Sequence, residues 1–151
     1  FSVSVSNTVM NGKLPMIIGC LLLGLLHLPA SGQAAEDVAD PPGQVFRLVR
    51  AVMCETIEGY EPRHTAVAFS VAVGRISCYT SFDGVAETTY IEHKWYRRDE
   101  LVTVKRLTLR PPNWATFSSI QLREADKGPW RVEILDARNR IVRTLRFSVT
   151  D

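Results

Sequence analysis

Between Gly128 and Thr150 polarity alternates residue by residue, and no other feature constrains the fold as strongly. Trp130, Val132 and Ile134 alternate with Arg131 and Glu133. After Asp136-Ala137-Arg138-Asn139 the alternation resumes through Ile141, Leu145, Phe147 and Val149. Period two sends successive side chains to opposite faces of an extended strand, so this stretch reads as a half-buried β-hairpin with a polar turn. Such a hairpin is marginal alone and requires a further sheet against its apolar side. Trp130 is the expected anchor of the shared core. Arg143 has the parity of Ile141 and Leu145, which requires either a bulge in the hairpin or an open end to the domain.

The preceding residues supply the partner. Val45–Ile57 is dense in Val, Phe and Met and reads as a first strand. Glu58-Gly-Tyr-Glu-Pro-Arg63 reads as a loop. Val67, Phe69, Val71 and Val73 line one side of a second strand, and Ile76, Cys78 and Phe82 line one side of a third. Asp83-Gly84 is the strongest short turn signal. Thr88–Tyr96 and Leu101–Leu109 follow, separated by the charged turn Arg97-Arg98-Asp99-Glu100. Pro111-Pro112 stops the second of these, because proline lacks the amide that a ladder needs. Trp114–Leu122 is the last strand before the hairpin. About seven to eight short strands at near-regular spacing, with no amphipathic helix after the leader, predict an all-β antiparallel sandwich of Ig-like type over residues 44–151.

The N-terminus belongs to another class. Lys13, the apolar run Leu14–Leu28 and the small-residue exit Pro29-Ala-Ser-Gly-Gln-Ala34 have the three parts of a secretory signal peptide, with cleavage expected after Ala34. Two alternatives are a retained membrane anchor, since the run just reaches the ~17-residue minimum for a span, and a lipoprotein signal at Cys20. Residues before Met10 need not be translated. Residues 35–43, acidic and rich in breakers, read as a flexible linker. The expected location is therefore the periplasm, free or tethered to the inner membrane.

Lys13 is the only charged residue before Glu36, so the body holds 17 basic and 16 acidic residues. Nucleic-acid binding, which requires a marked basic excess, is excluded on that balance. No cofactor motif is present. Cys54, Cys78, His64 and His93 lack zinc-ligand spacing. Removal of the leader leaves two cysteines, and an even count in an exported domain predicts a Cys54–Cys78 disulfide. Cys54 shares parity with Leu48 and Val52, and Cys78 with Ile76, so both thiols are expected to face the core.

His93 and Trp95 lie on one side of their strand. They serve either as a stacking and hydrogen-bonding pair for a sugar or peptide, or as core residues with a satisfied imidazole. Ser118-Ser119 lacks a nucleophile elbow and reads as a surface pair. Trp114 and Phe117 are candidate ligand-stacking aromatics. Arg138, Arg140 and Arg146 crowd the closing hairpin as either a solvated face or a patch for an acidic partner. Together these residues predict a non-catalytic module that binds an envelope protein, with glycan or peptidoglycan binding as the alternative.

His93-x-Trp95, Trp114 followed by Ser118-Ser119, Gly128-x-Trp130-x-Val132 with Asp136, and Phe147-x-Val149 resemble the uncharacterised bacterial envelope family known as domain of unknown function 2914. Cys54 and Gly74-x-x-x-Cys78 are similarly placed, so the resemblance extends over about residues 46–149. It implies a secreted or tethered Ig-like domain and no assigned activity. Phe117 stands where a second tryptophan is usual, and Asn139 where a turn glycine is common; asparagine also tolerates positive φ.

Overall fold

The computed structural model describes residues 45–151, so the leader and linker lie outside the described residues. Nine strands form two sheets. They are β1 (Arg47–Glu58), β2 (Glu61–Thr65), β3 (Ala68–Ser70), β4 (Arg75–Asp83), β5 (Thr89–Arg97), β6 (Glu100–Leu109), β7 (Trp114–Gln121), β8 (Gly128–Asp136) and β9 (Ile141–Thr150). One sheet has the order β2-β1-β4-β7 and the other β3-β9-β8-β5-β6. The all-β sandwich is therefore as expected, with one exception to antiparallel pairing: β3 runs parallel to β9.

That exception comes from the predicted second strand. Only Ala68–Ser70 is extended, Val71–Val73 forms a 3-10 turn, and Phe69 alone is buried while Val67 is 75% exposed. The segment carries the chain from one sheet to the other, so its period-two pattern does not mark a buried face. The predicted loop at residues 58–63 is tighter than expected. Gly59 and Tyr60 both have positive φ, which turns β1 directly into β2.

The core lies between the sheets. Phe147 is its aromatic hub: Trp130 stacks on it at 6.0 Å, while Phe69 and Trp95 meet it edge-on at 6.1 and 6.2 Å. Each such pair contributes about 0.5–1.5 kcal/mol beyond area burial. Trp130 also donates its indole N–H to the Asp126 carbonyl at 2.7 Å, so its one polar atom is satisfied. The closing hairpin is as the alternation predicted, including a bulge: Ile134 pairs with Arg143, but Leu135 pairs with Ile141, leaving Val142 extra. Asn139 sits in its turn at φ 61°.

The predicted disulfide is absent: Cys54 and Cys78 are both free and buried. The cause is a second irregularity. Leu48 pairs with Phe82 and Arg50 with Ser81, so Val49 is an extra residue in β1. One inserted residue inverts the parity of everything after it. Met53, not Cys54, becomes the inward partner of Cys78, and Cys54 pairs with Ser77 on the opposite face. The Cys54 thiol lies 3.6 Å from the Ser77 carbonyl. Burial pushes the Cys54 thiol up to about 11 and raises Cys78 still further, so neither forms the thiolate that oxidation requires.

Two outcomes follow. Without reductant, native protein should resist thiol alkylation at both sites, and denatured protein should take up label at both; a mass showing two protected cysteines after unfolding would restore the bridge. Trp130→Ala should cost about 3–5 kcal/mol in urea unfolding.

Candidate functional site

The chemistry-bearing residues singled out in the sequence divide into three places. The first is the core. His93 and Trp95 lie inward on β5, and both are fully buried. Facing them from the other sheet are Thr80 on β4 and Ser118 on β7, also buried. Strand register brings the two opposing residues to neighbouring levels, because Cys78 pairs with Ser118 and Thr80 with Thr116. Ser118 is thus not the surface serine expected. It accepts the Trp95 indole N–H at 3.0 Å and lies 2.8 Å from His93 Nδ1. His93 Nε2 is 3.3 Å from the Thr80 hydroxyl, which reaches the Thr116 carbonyl at 3.4 Å.

Donor and acceptor chemistry orders this chain in one direction. An indole N–H only donates, so Ser118 Oγ accepts from Trp95; the direction that leaves no hydrogen of the chain without an acceptor then has Ser118 donating to His93 Nδ1. His93 then carries its proton on Nε2, donates to Thr80, and Thr80 donates to Thr116. Every polar hydrogen in the chain has an acceptor, which allows it to exist in an apolar interior. Burial alone drives the His93 pKa down to about 3, so the ring is neutral. Ser118 and His93 are within reach of each other, but Nε2 meets a hydroxyl rather than a carboxylate, and both groups are sealed from solvent. A triad would need an acid there, together with an oxyanion hole and access.

The second place is the outer face of the four-stranded sheet. Phe117 pairs with Tyr79 on that face and is 45% exposed. Trp114 pairs with Phe82 on the inner side, half-buried at the rim, with the Arg110 guanidinium 5.6 Å above its ring. Trp95 is therefore sealed away from the other two, whereas Trp114 and Phe117 line one shallow cleft with Tyr60 and Tyr79.

The third is the closing hairpin, where the arginines separate. Asp136 accepts from the amides of Arg138 and Arg140 and from Arg140 Nε, at 2.8–2.9 Å. Burial by itself would raise the Asp136 carboxyl, but these bonds and the Arg140 charge outweigh it and hold it below its ordinary value. Arg140 is therefore part of the turn's own scaffold. Arg138 is exposed at the tip. Arg146 is at the far end of β9, where it meets Arg131 across the ladder and lines one cleft with Arg98. One patch of Arg138, Arg140 and Arg146 does not exist; Arg146 belongs with Arg98 and Arg131. Sequence reasoning had no means of seeing this group, because its members come from two hairpins.

Arg146 also borders a groove of about 400 Å³ on the open side of the sandwich, between β1 and β9, floored by Ala51, Met53, Val67 and Leu145. Its lining is mostly apolar, and it lies beside β9.

These features define a two-sheet β-sandwich pinned by a polar chain through its core and open along one edge. The model of the family described as "Protein of unknown function (DUF2914)" matches residues 88–149, so that part of the chain is similar to this family. The match spans β5 to β9, with His93, Trp95, Ser118 and Trp130, and is shorter than the resemblance over residues 46–149 had implied. None of the curated proteins compared with the chain matches it.

Two measurements test the core chain. Ser118→Ala should cost roughly 2–3 kcal/mol, because it leaves the Trp95 indole and His93 Nδ1 without partners. For pH, the unfolded chain binds a proton at His93 below about 6.5, whereas the folded chain refuses it until about 3. Stability from this group is full above pH 6.5 and falls as pH drops towards the folded value, by up to ~1.4 kcal/mol per unit. Urea titrations between pH 6.5 and 5, above the carboxylate range, should show that slope. The His93 ring resonances of the folded protein should stay unshifted from pH 8 to 5.

Proposed function

We propose that this chain is a non-catalytic, exported, Ig-like binding module that takes up an extended segment of another cell-envelope protein by strand addition to β9. The observation that carries this reading is the unpaired stretch of β9 beside the apolar groove. β3 pairs only with Ser148–Thr150, and the Ser148 amide donates to the Val67 carbonyl at 3.0 Å. Period two directs the backbone groups of Arg146 and Thr144 towards the same side, where β3 has ended. An edge of this kind is a template for a further strand, whose main chain completes the ladder while alternate side chains enter the groove.

Charge selects the occupant. Arg143 and Arg146 are exposed on this strand, and among the described residues neither has a carboxylate partner. A segment alternating apolar with acidic residues fits both the groove lining and the rim. The Ig-like part of the reading is supported by the crossover of the chain after β2 and the parallel β3–β9 pairing. The non-catalytic part is supported by the hydroxyl–imidazole pair Ser118–His93 being sealed in the core with a neutral ring. Export rests on the leader composition, and the inert, buried thiols are compatible with an oxidising compartment.

A photo-cross-linking residue at Val67 in living cells tests the reading. The expected product joins this position to an extended, acidic stretch of a second envelope protein, and disappears when Thr144→Pro removes the outward amide. Cross-linking only to another copy of this chain, or a product indifferent to Thr144→Pro, would overturn it.

A further inference from the structure

The outer face of the five-stranded sheet carries a second feature, which shares Arg146 with the β9 edge. Where the β5–β6 turn meets the start of β8, a cleft of about 100 Å³ is lined by three guanidinium groups, those of Arg98, Arg131 and Arg146, with Tyr96 and Asp99. Each is there for a reason that works against stability of the unliganded protein. Arg131 and Arg146 are direct register partners. Pro129 has no amide hydrogen, and its partner Ser148 donates away from β8 to Val67, so the pairs two and four residues along share that phase. By that phase Arg131–Arg146 is a non-hydrogen-bonded pair, the kind whose Cα atoms approach to about 4.5 Å. Like charges directly opposite in a sheet are destabilising.

Arg131 is neutralised: Glu133 accepts from it at 3.0 Å, Asp99 pairs with it, and its guanidinium lies 4.0 Å from the Tyr96 ring centre. Arg146 has no such partner among the described residues. Arg98 enters from the turn, where it and Asp99 hold φ of 46° and 68°. A two-residue turn with both φ positive favours Asn-Gly, and an Arg-Asp pair there is strained. Gly128, at φ 121°, completes the arrangement. A Cβ on it would stand 3.3 Å from Arg98 Nε, so glycine leaves the space in which the Arg98 side chain lies, with Nη2 donating to the Lys127 carbonyl at 3.4 Å.

We propose that this cleft is an oxyanion-binding site, taking a carboxylate or phosphate group between Arg98, Arg131 and Arg146. Asp99 marks the position: it is a tethered carboxylate already on Arg131, with a side chain 89% exposed and therefore free to swing out. An incoming oxyanion replaces it and supplies the counter-charge that Arg146 and Arg98 lack. Guanidinium groups suit this role because each presents a fork of donors matched to two oxygens.

The test is an NMR titration of the full chain at low salt, following the arginine Nε–Hε resonances, with inorganic phosphate, glutarate and a hexaglutamate peptide as probes. Arg98, Arg131 and Arg146 should shift together and saturate. Arg146→Gln should weaken binding by about tenfold, whereas Arg138→Gln, at the distant turn, should leave it unchanged. Asp99→Asn, which removes the internal competitor, should strengthen binding severalfold, a gain that a purely structural turn residue would not give. Tighter binding of hexaglutamate than of glutarate assigns the oxyanion to an acidic protein segment, and equal binding of the three probes assigns it to a free anion; both sustain the site. No response at the three arginines to any probe, or equal loss with Arg138→Gln and Arg146→Gln, overturns it. Thr144→Pro leaves these resonances untouched, so failure of strand addition and failure of the oxyanion site are read separately.

Discussion

The hydrogen-bonded chain from Trp95 through Ser118, His93 and Thr80 to Thr116 is the interaction on which the rest of the sandwich depends. It joins β5 in one sheet to β7 and β4 in the other, across an interior that is otherwise apolar. Apolar contacts between sheets are non-directional and tolerate sliding; a chain of donors and acceptors does not. A shift of β7 that set Phe117 in the place of Ser118 would leave two ring nitrogens unpaired. The chain therefore sets the registration of one sheet on the other. Phe147 packs edge-on against Trp95 and stacks with Trp130.

Because its inner face is held this way, the molecule can leave irregularity at its margins. Val49 in β1 and Val142 in β9 are both extra residues, and both lie on strands flanking the open side. The bulge at Val49 turns Cys54 away from Cys78. That at Val142 precedes Arg143, which still stands opposite the buried Ile134. Bulges increase local twist and end regular pairing, and here they flank the stretch of β9 that β3 does not cover.

The charged surface follows a different logic. Most ion pairs are exposed and contribute little to stability. Arg131 with Glu133 is shielded on both sides, and Arg140 with Asp136 differs again, since that carboxylate is buried and organises the turn's amides. At the other end of the same hairpin, Arg131 and Arg146 are opposed, Arg98 sits in a strained turn, and Gly128 gives it room. Local rules are broken at four neighbouring positions, and such clustering is characteristic of sites where something else binds.

Period two in Trp130–Ile134 and Ile141–Val149, the β-branched run of β5, the proline stop after Leu109 and the spacing of turns determined an all-β sandwich with Trp130 in its core. They do so because these are nearest-neighbour properties of an extended backbone. Residues His93-x-Trp95 and Gly128-x-Trp130-x-Val132 likewise carried the family resemblance. What the sequence could not determine is whatever depends on the phase between strands. The parity of Cys54 reversed on one bulge residue. Val67–Val73 has a strand's pattern but serves as a crossover. Ser118 became a core hub because register set it against His93. Arg146 left Arg138 and Arg140 to join Arg98 and Arg131. In each case the deciding quantity was which residue of a distant strand lies opposite, and that is a property of the assembled sheets rather than of any one stretch of chain.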